Sequence, residues 1–282
     1  MATTSWERLA DWYDAKQGDE GDLWHRTLID PTFLRVVGDV HGLRLLDLAC
    51  GNGYLSRRFA REGATVVGVD ASSPIIRRAR AREAKEPLGI RYLVADATRH
   101  IPLESGSFDI VASNMALMDM EDVEGAIQEA ARLLRSGGRF VASLCHPCFD
   151  QGPSSTWILE RFFRTTKVWR KVARYRHPFA DEMPWGIEER TVTTVGYHRP
   201  LSWYARVLRD AGFLIRSLEE PEPTPEFIEG SPQGHYVVEI PLHLVIEAVQ
   251  WPTRARPPRS RARPAQTASR RKTRSPKASA TR

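Results

Sequence analysis

Leu45-Leu46-Asp47-Leu48-Ala49-Cys50-Gly51-Asn52-Gly53 is the stretch that decides the fold. An apolar run broken by one acid reads as a strand buried on both faces, because a parallel strand covered by helices shows continuous rather than alternating hydrophobicity. Small residues follow, and Tyr54 to Arg61 then reads as a helix. A buried strand, a glycine turn and a helix amino end open many nucleotide-binding α/β domains, where unpaired backbone N–H groups meet the ligand. Gly51 and Gly53 allow a sharp turn and a close approach with no Cβ in the way. A dinucleotide fingerprint would place a third glycine three residues beyond the second. Ser56 stands there, and Tyr54 puts a large ring just inside the turn, which argues against a nicotinamide cofactor.

Downstream, Thr65 to Asp70 is a β-branched strand ending in an acid seventeen positions beyond Gly53. A second-strand carboxylate that binds ribose hydroxyls lies at a spacing of about 20 residues. Ser72-Ser73-Pro74 then supplies cap residues and a first-turn proline for a helix. Ile90 to Ala95 predicts a third strand, ending at Asp96-Ala97, and Ser107 to Asn114 a fourth. Asp122 to Leu134 is an amphipathic helix stopped by Gly137-Gly138, with a fifth strand over Phe140 to Leu144. Leu201 to Ala211 predicts a helix, Gly212-Phe213 leads into a sixth strand, and His235 to Val238 with Pro241 to Val249 would close the sheet. Upstream, Trp6 to Tyr13 and Leu23 to Val37 read as helices around an acidic, glycine-rich loop over 17–22.

With Asp47 at its head, the turn resembles motif I of the class I S-adenosylmethionine-dependent methyltransferases, acid-x-Gly-x-Gly-x-Gly, with Ala49 in place of the first glycine. Phe108-Asp109-Ile110-Val111, the apolar run Met115 to Met118, and Asp119 are similar to motif IV of that family. Leu134-Arg135-Ser136-Gly137-Gly138 is similar to its Leu-x-x-Gly-Gly entry into the fifth strand. The resemblance covers roughly residues 1–250 and is strongest to the small-molecule subgroup with a generic methyltransferase domain. It implies an α/β, three-layer Rossmann-like fold whose seven-stranded sheet is mostly parallel with one antiparallel strand. It implies S-adenosyl-L-methionine as cofactor, cradled by Asp47, Ala49, Cys50, Gly51, Asn52 and Gly53. Asp70 and Ala71 would meet the ribose, and Asp96 and Ala97 the adenine. Ser113, Asn114 and Met115 would lie beside the methionine part, and Tyr13, with Gln17 and His25, would close the pocket from the amino-terminal segment.

The chemistry implied is direct in-line displacement at a sulfonium methyl, in which the protein aligns the reactants and a base can take the acceptor's proton. His146, directly after the fifth strand, is the expected catalytic residue, ahead of His25 and His198. Cys145-x-x-Cys148 has no second cysteine pair to complete a zinc site, and no metal is expected. Residues 147–200 read as a lid insertion beside the acceptor, rich in aromatic residues (Trp157, Phe162, Trp169, Tyr175, Trp185) suited to stacking on an aromatic small molecule. Ser113-Asn114-Met115-Ala116 lacks the Asn/Asp-Pro-Pro-aromatic pattern of amino-group DNA methyltransferases. The alternatives are an RNA methyltransferase anchored by a basic tail, and a cofactor-binding scaffold without turnover.

That tail accounts for the charge. The chain of 282 residues carries a net +6, yet residues 253–282 contain eleven Lys or Arg and no acid, which leaves residues 1–252 at −5. The tail is Arg, Pro, Ser, Ala and Thr with almost no apolar bulk and is expected to be disordered, with nucleic-acid contact through it not favoured. Residues 1–252 are expected to form one methyltransferase domain, with 1–40 as an amino-terminal helical cap. The three cysteines, the absence of a run of 18 or more apolar residues, and an amino end without a signal peptide's regions lead to the expectation of a soluble, cytoplasmic protein with no membrane partner.

Overall fold

The opening apolar run forms β1 (Arg44–Leu48), buried at every position after Arg44. Its alternate side chains enter different cores: Leu45 joins one buried cluster, Leu46 and Leu48 the other. The computed structural model describes residues 5–251 apart from 151, 164, 188 and 189. The basic tail lies outside the described residues.

After β1 come β2 (Thr65–Asp70), β3 (Arg91–Val94), β4 (Phe108–Ser113) and β5 (Leu134–Cys145). Four strands build the insertion: β6 (Ser155–Phe162), β7 (Thr165–Val172), β8 (Phe179–Ile187) and β9 (Arg190–His198). β10 (Phe213–Glu219) and β11 (His243–Gln250) complete the main sheet, in the order β10-β11-β5-β4-β1-β2-β3. β1 pairs in parallel with β2 and β4, β2 with β3, and β4 with β5. β11 is antiparallel to both of its neighbours, so one strand runs against the other six. This is the mostly parallel, three-layer α/β sheet expected.

The helices cover both faces. α1 (Ala10–Gln17) and α2 (Asp30–Val37) precede the sheet, and α3 (Tyr54–Arg61), α4 (Ser73–Lys85) and α5 (Val123–Leu133) connect its parallel strands. Phe33, Phe59 and Ile76 from α2, α3 and α4 pack on one face, and Val123, Ile127 and Ala130 from α5 on the other. α6 (Leu201–Asp210) joins the second face through Tyr204 and Leu208. The chain leaves β1 toward β2 on one side and β4 lies on the other, so the carboxyl ends of β1 and β4 diverge and open a crevice between their turns.

Four local features differ from the sequence reading. The helix over 23–37 forms, but its middle, His25–Ile29, is a π turn. Pro31 has no N–H to give to Thr27, whose carbonyl instead accepts from Thr224 N at 3.1 Å. The segment expected as a closing strand at His235–Val238 is part of a short helix, α8 (Gly234–Glu239), following α7 (Pro225–Gly230). Gly234 packs so tightly on α7 that a Cβ there would lie 2.3 Å from the Ile228 carbonyl oxygen, and β11 already occupies the place beside β5. The amino-terminal helix is a 3₁₀ turn, Ser5–Leu9, followed by α1. The insertion, read from sequence as an aromatic-rich lid, holds two antiparallel hairpins, β6–β7 and β8–β9.

Candidate active site

The turn after β1 takes three left-handed residues in five positions: Ala49 (φ 62°), Gly51 (φ 56°) and Gly53 (φ 79°). Glycine adopts this conformation freely, whereas Ala49 does so at a cost of roughly 1–2 kcal/mol. Gly53 is required twice over, because a Cβ there would fall 2.4 Å from the Tyr92 hydroxyl. A Cβ on Gly51 would lie 3.1 Å from the Tyr13 ring, so α1 passes directly over the turn. Gly51 N donates to Asp70 Oδ2 at 3.0 Å, and Ser72 N donates to Asp70 Oδ1 at 2.8 Å. Two backbone donors thus aim the carboxylate, and each oxygen keeps acceptor capacity for a further hydroxyl. Burial raises the Asp70 pKa above the ordinary carboxylate value.

A cavity of about 1250 Å³ lies over this turn and extends to the insertion. Tyr13, Ala49, Gly51, Asp70 and Ala71 line it, as do Asp96, Ala97, Asn114 and Met115. Asn114 and Met115 are held by a buried network. Asn114 Nδ2 donates to Asp30 Oδ1 (2.9 Å) and the Ser143 hydroxyl donates to Asn114 Oδ1, while Met115 N donates to Ser143 Oγ (2.8 Å). Asp30 also accepts from the Tyr54 hydroxyl (3.1 Å), so cap helix α2, α3 and the ends of β4 and β5 share one set of bonds.

Gln17 and His25 line the cavity as well, whereas Asp47, Cys50, Asn52, Gly53 and Ser113, also expected at the cofactor, do not. Asp47 is buried beneath the turn, where Oδ2 accepts from Ser56 Oγ at 2.5 Å and burial pushes its pKa up to about 7. Asn52 is fully buried: Nδ2 donates to Gly18 O (2.8 Å) and Asp14 Oδ1 (3.1 Å), and Oδ1 accepts from Tyr54 N (3.3 Å). It staples the amino-terminal cap to the turn. The Cys50 thiol is buried and its pKa raised, Gly53 underlies the start of α3, and Ser113 is enclosed with its hydroxyl unpaired among the described residues. The pattern of residue types marks the turn, but only the folded chain separates side chains that build it from those that face the opening.

His146 also stands apart from the cavity lining. The chain turns back on itself after β5, with Phe149 N and Asp150 N both donating to His146 O. This aims the ring away: Nδ1 accepts from Cys148 N at 3.1 Å, which leaves the proton on Nε2, 3.0 Å from Glu220 Oε1. Both nitrogens are committed to hydrogen bonds, and burial lowers the pKa below the ordinary imidazole value. The histidines that line the cavity are His25, His198 and His243. His25 Nδ1 is 2.8 Å from Asp22 Oδ1, His198 Nε2 donates to Tyr175 O at 2.8 Å, and burial lowers His243 to about 3. Among the described residues no group of three His, Cys, Asp or Glu side chains is placed to hold a metal ion.

Of the insertion aromatics, Trp157 and Trp185 line the cavity, whereas Phe162, Trp169 and Tyr175 do not. Trp185 meets Trp6 and Trp12 of the amino-terminal segment at centroid distances of 5.8 and 5.5 Å, so cap and insertion close on each other across the cavity. Asp119 is a lining residue to which motif spacing assigned no role. Burial raises its pKa to about 7 against a hydrogen bond from Trp6. The motif IV pattern that includes this acid carries no such signal, since its burial, and the hydrogen bond from a tryptophan 113 positions away, arise only in the folded chain.

Comparison with known proteins agrees with this geometry. Residues 46–142 match a family model described as a methyltransferase domain. A solved S-adenosylmethionine-dependent methyltransferase from Mesorhizobium loti is 30% identical, with a TM-score of 0.65 over 82% of this chain and 100% of that one. A demethylmenaquinone methyltransferase from Renibacterium salmoninarum is 32% identical over 50% of this chain and 55% of its own length. A ubiquinone biosynthesis O-methyltransferase from Cronobacter sakazakii is 29% identical over 45% and 52%. The chain spans about half the length of the curated relatives it matches. With the Mesorhizobium protein matched along its entire length and the motif I turn inside the matched domain, the chain belongs to the class I S-adenosylmethionine-dependent methyltransferases, enzymes whose cofactor is S-adenosyl-L-methionine.

Proposed function

We propose that this protein methylates a small, ring-bearing molecule held between the motif I turn and the insertion, by direct in-line displacement. The observation that carries this is one cavity lined both by Asp70 and Asp96 of the main sheet and by Trp157, Trp185 and Tyr197 of the insertion. Its volume of about 1250 Å³ exceeds the ~300–1,000 Å³ usual for one ligand, room suited to a cofactor and an acceptor together. The names of the two quinone-pathway relatives support an acceptor of this class.

The residues present fit the cofactor. The glycine turn leaves its backbone approachable, and the Asp70 carboxylate, aimed by two N–H donors, suits a ribose diol. Asp96 and Ala97 would bound the adenine, Asn114 and Met115 the methionine part, and Tyr13 would cover it. Bound there, S-adenosylmethionine supplies a sulfonium methyl group that needs no further activation. The chain's own contribution is alignment and exclusion of water by the tryptophans that join cap and insertion, and positioning of this kind lowers a barrier by up to ~7–11 kcal/mol. Asp119, rather than His146, lines the cavity with a pKa near neutrality, the condition for accepting an acceptor's proton at physiological pH.

Isothermal titration tests the cofactor site directly. Asp70→Ala should weaken S-adenosylmethionine binding by about 1–3 kcal/mol, the cost of leaving buried hydroxyls without their acceptor. Unchanged affinity would remove Asp70 from the site.

A further inference from the structure

The hairpin β6–β7 has two faces of different character. Residues paired across an antiparallel ladder share a face. Trp157 opposite Arg170 lies on the inner face and both line the cavity. The outer face pairs Thr156 with Lys171, Ile158 with Trp169, Glu160 with Lys167 and Phe162 with Thr165. Ile158, Trp169 and Phe162 are 41%, 50% and 64% exposed, and Phe163 at the tip is fully exposed in a left-handed conformation. A solvated surface has no need of this much apolar area in one place, and contiguous patches of this kind mark interaction sites.

The charge is equally concentrated. Residues 155–176 contain Arg161, Arg164, Lys167, Arg170, Lys171, Arg174 and Arg176 against the single acid Glu160. That is a net +6 within residues 1–252, whose total is −5. A basic, aromatic-tipped hairpin projects from an acidic body.

We propose that β6–β7 docks the protein on an anionic phospholipid surface. Phe162, Phe163, Trp169 and Ile158 enter the interfacial layer, and Lys167 and Lys171 meet the lipid phosphates. Aromatic rings are at home at the headgroup level, and cations next to them are drawn to anionic lipid. An exposed aliphatic side chain in the same patch, Ile158, favours acyl chains over nucleobases, which call for planar partners. Attachment is peripheral, since no helix among the described residues is long and apolar enough to cross a membrane. Resting on the small-molecule reading, this deepens it: the inner face of the docked hairpin lines the cavity, so the acceptor is an amphiphile that reaches the cavity from the bilayer.

The test is vesicle flotation of the full-length chain with phosphatidylcholine alone and with phosphatidylcholine–phosphatidylglycerol mixtures, beside titration of S-adenosylmethionine into the same preparations. Wild type should bind the anionic vesicles. Phe162→Ser/Phe163→Ser should lose roughly tenfold or more in vesicle affinity, as two rings no longer leave water. Both positions are exposed, so cofactor affinity should be unchanged and reports that the variant is folded. Because the basic tail is present in both proteins, equal vesicle binding by the variant would assign the binding to the tail and overturn the proposal. No vesicle binding by wild type would overturn it too, as would tight binding of a single-stranded RNA oligomer or self-association that the variant abolishes without vesicle binding. Hairpin-dependent vesicle binding by a protein that fails to bind S-adenosylmethionine would leave docking intact and defeat the methyl-transfer reading instead.

Discussion

Asn52→Ala separates a residue that builds the site from one that touches the cofactor. Asn52 is completely buried and makes three hydrogen bonds, to Gly18 O, Asp14 Oδ1 and Tyr54 N. Asp14 retains Arg82 Nη1 at 2.6 Å after truncation, so its loss is partial. Gly18 O and Tyr54 N lose a buried partner outright. At about 1–3 kcal/mol for each buried group left unsatisfied, the two together predict a destabilisation of about 2–6 kcal/mol. Urea unfolding followed by circular dichroism reads that directly, and titration of S-adenosylmethionine gives the second half of the answer. Tyr13 rides on the cap helix that Asn52 holds down, so affinity should fall together with stability. A variant within about 0.5 kcal/mol of wild type in stability, the range of an ordinary surface change, that nonetheless binds the cofactor poorly would show Asn52 to be a direct ligand and refute the staple.

Two further outcomes test the electrostatics of the site. If Asp119 takes the acceptor's proton, turnover rises with pH through about 7 as the carboxyl ionises, and Asp119→Asn loses roughly 10²-fold or more in kcat with cofactor affinity retained; His146→Gln, by contrast, should keep the pH profile of the rate, and a profile altered by His146→Gln but not by Asp119→Asn would reverse the assignment. For stability, the buried Asp47 carboxyl holds its proton up to about pH 7, whereas an unfolded aspartate releases it near 3.8. The folded state therefore binds more protons between those values, and its stability falls as pH rises through them, by up to about 4 kcal/mol. Asp47→Asn keeps an acceptor for Ser56 and should flatten that part of the curve in denaturant titrations from pH 4 to 7; parallel curves for the two proteins would exclude Asp47 as the titrating group.

The sheet and its order of elements were legible in the chain because local chemistry repeats there. The apolar run of β1, broken only by Asp47, the β-branched run of β2 and the glycine turn each state their conformation within a few residues, and the acids at 47, 70 and 96 mark the ends of successive strands. Such signals depend on neighbours in sequence, so they identify where a cofactor turn lies and what family it belongs to. They do not say which way a side chain points. Asp47 and Asn52 match the motif as well as Gly51 does, yet one lies under the turn against Ser56 and the other reaches to Gly18 and Asp14, contacts that only the packed cap creates. His146 follows β5 as a catalytic group would, but a turn closed by two backbone hydrogen bonds aims its ring at Glu220, 74 positions on. Asp119 acquired its raised pKa from burial in the folded chain, against a hydrogen bond from Trp6, and Phe162 and Trp169 turned outward because their strand's other face took Trp157 and Arg170 into the cavity. Residue type and spacing determined the frame and the cofactor turn. Burial and orientation, which arise from contacts between segments far apart in the chain, were decided by the tertiary structure alone.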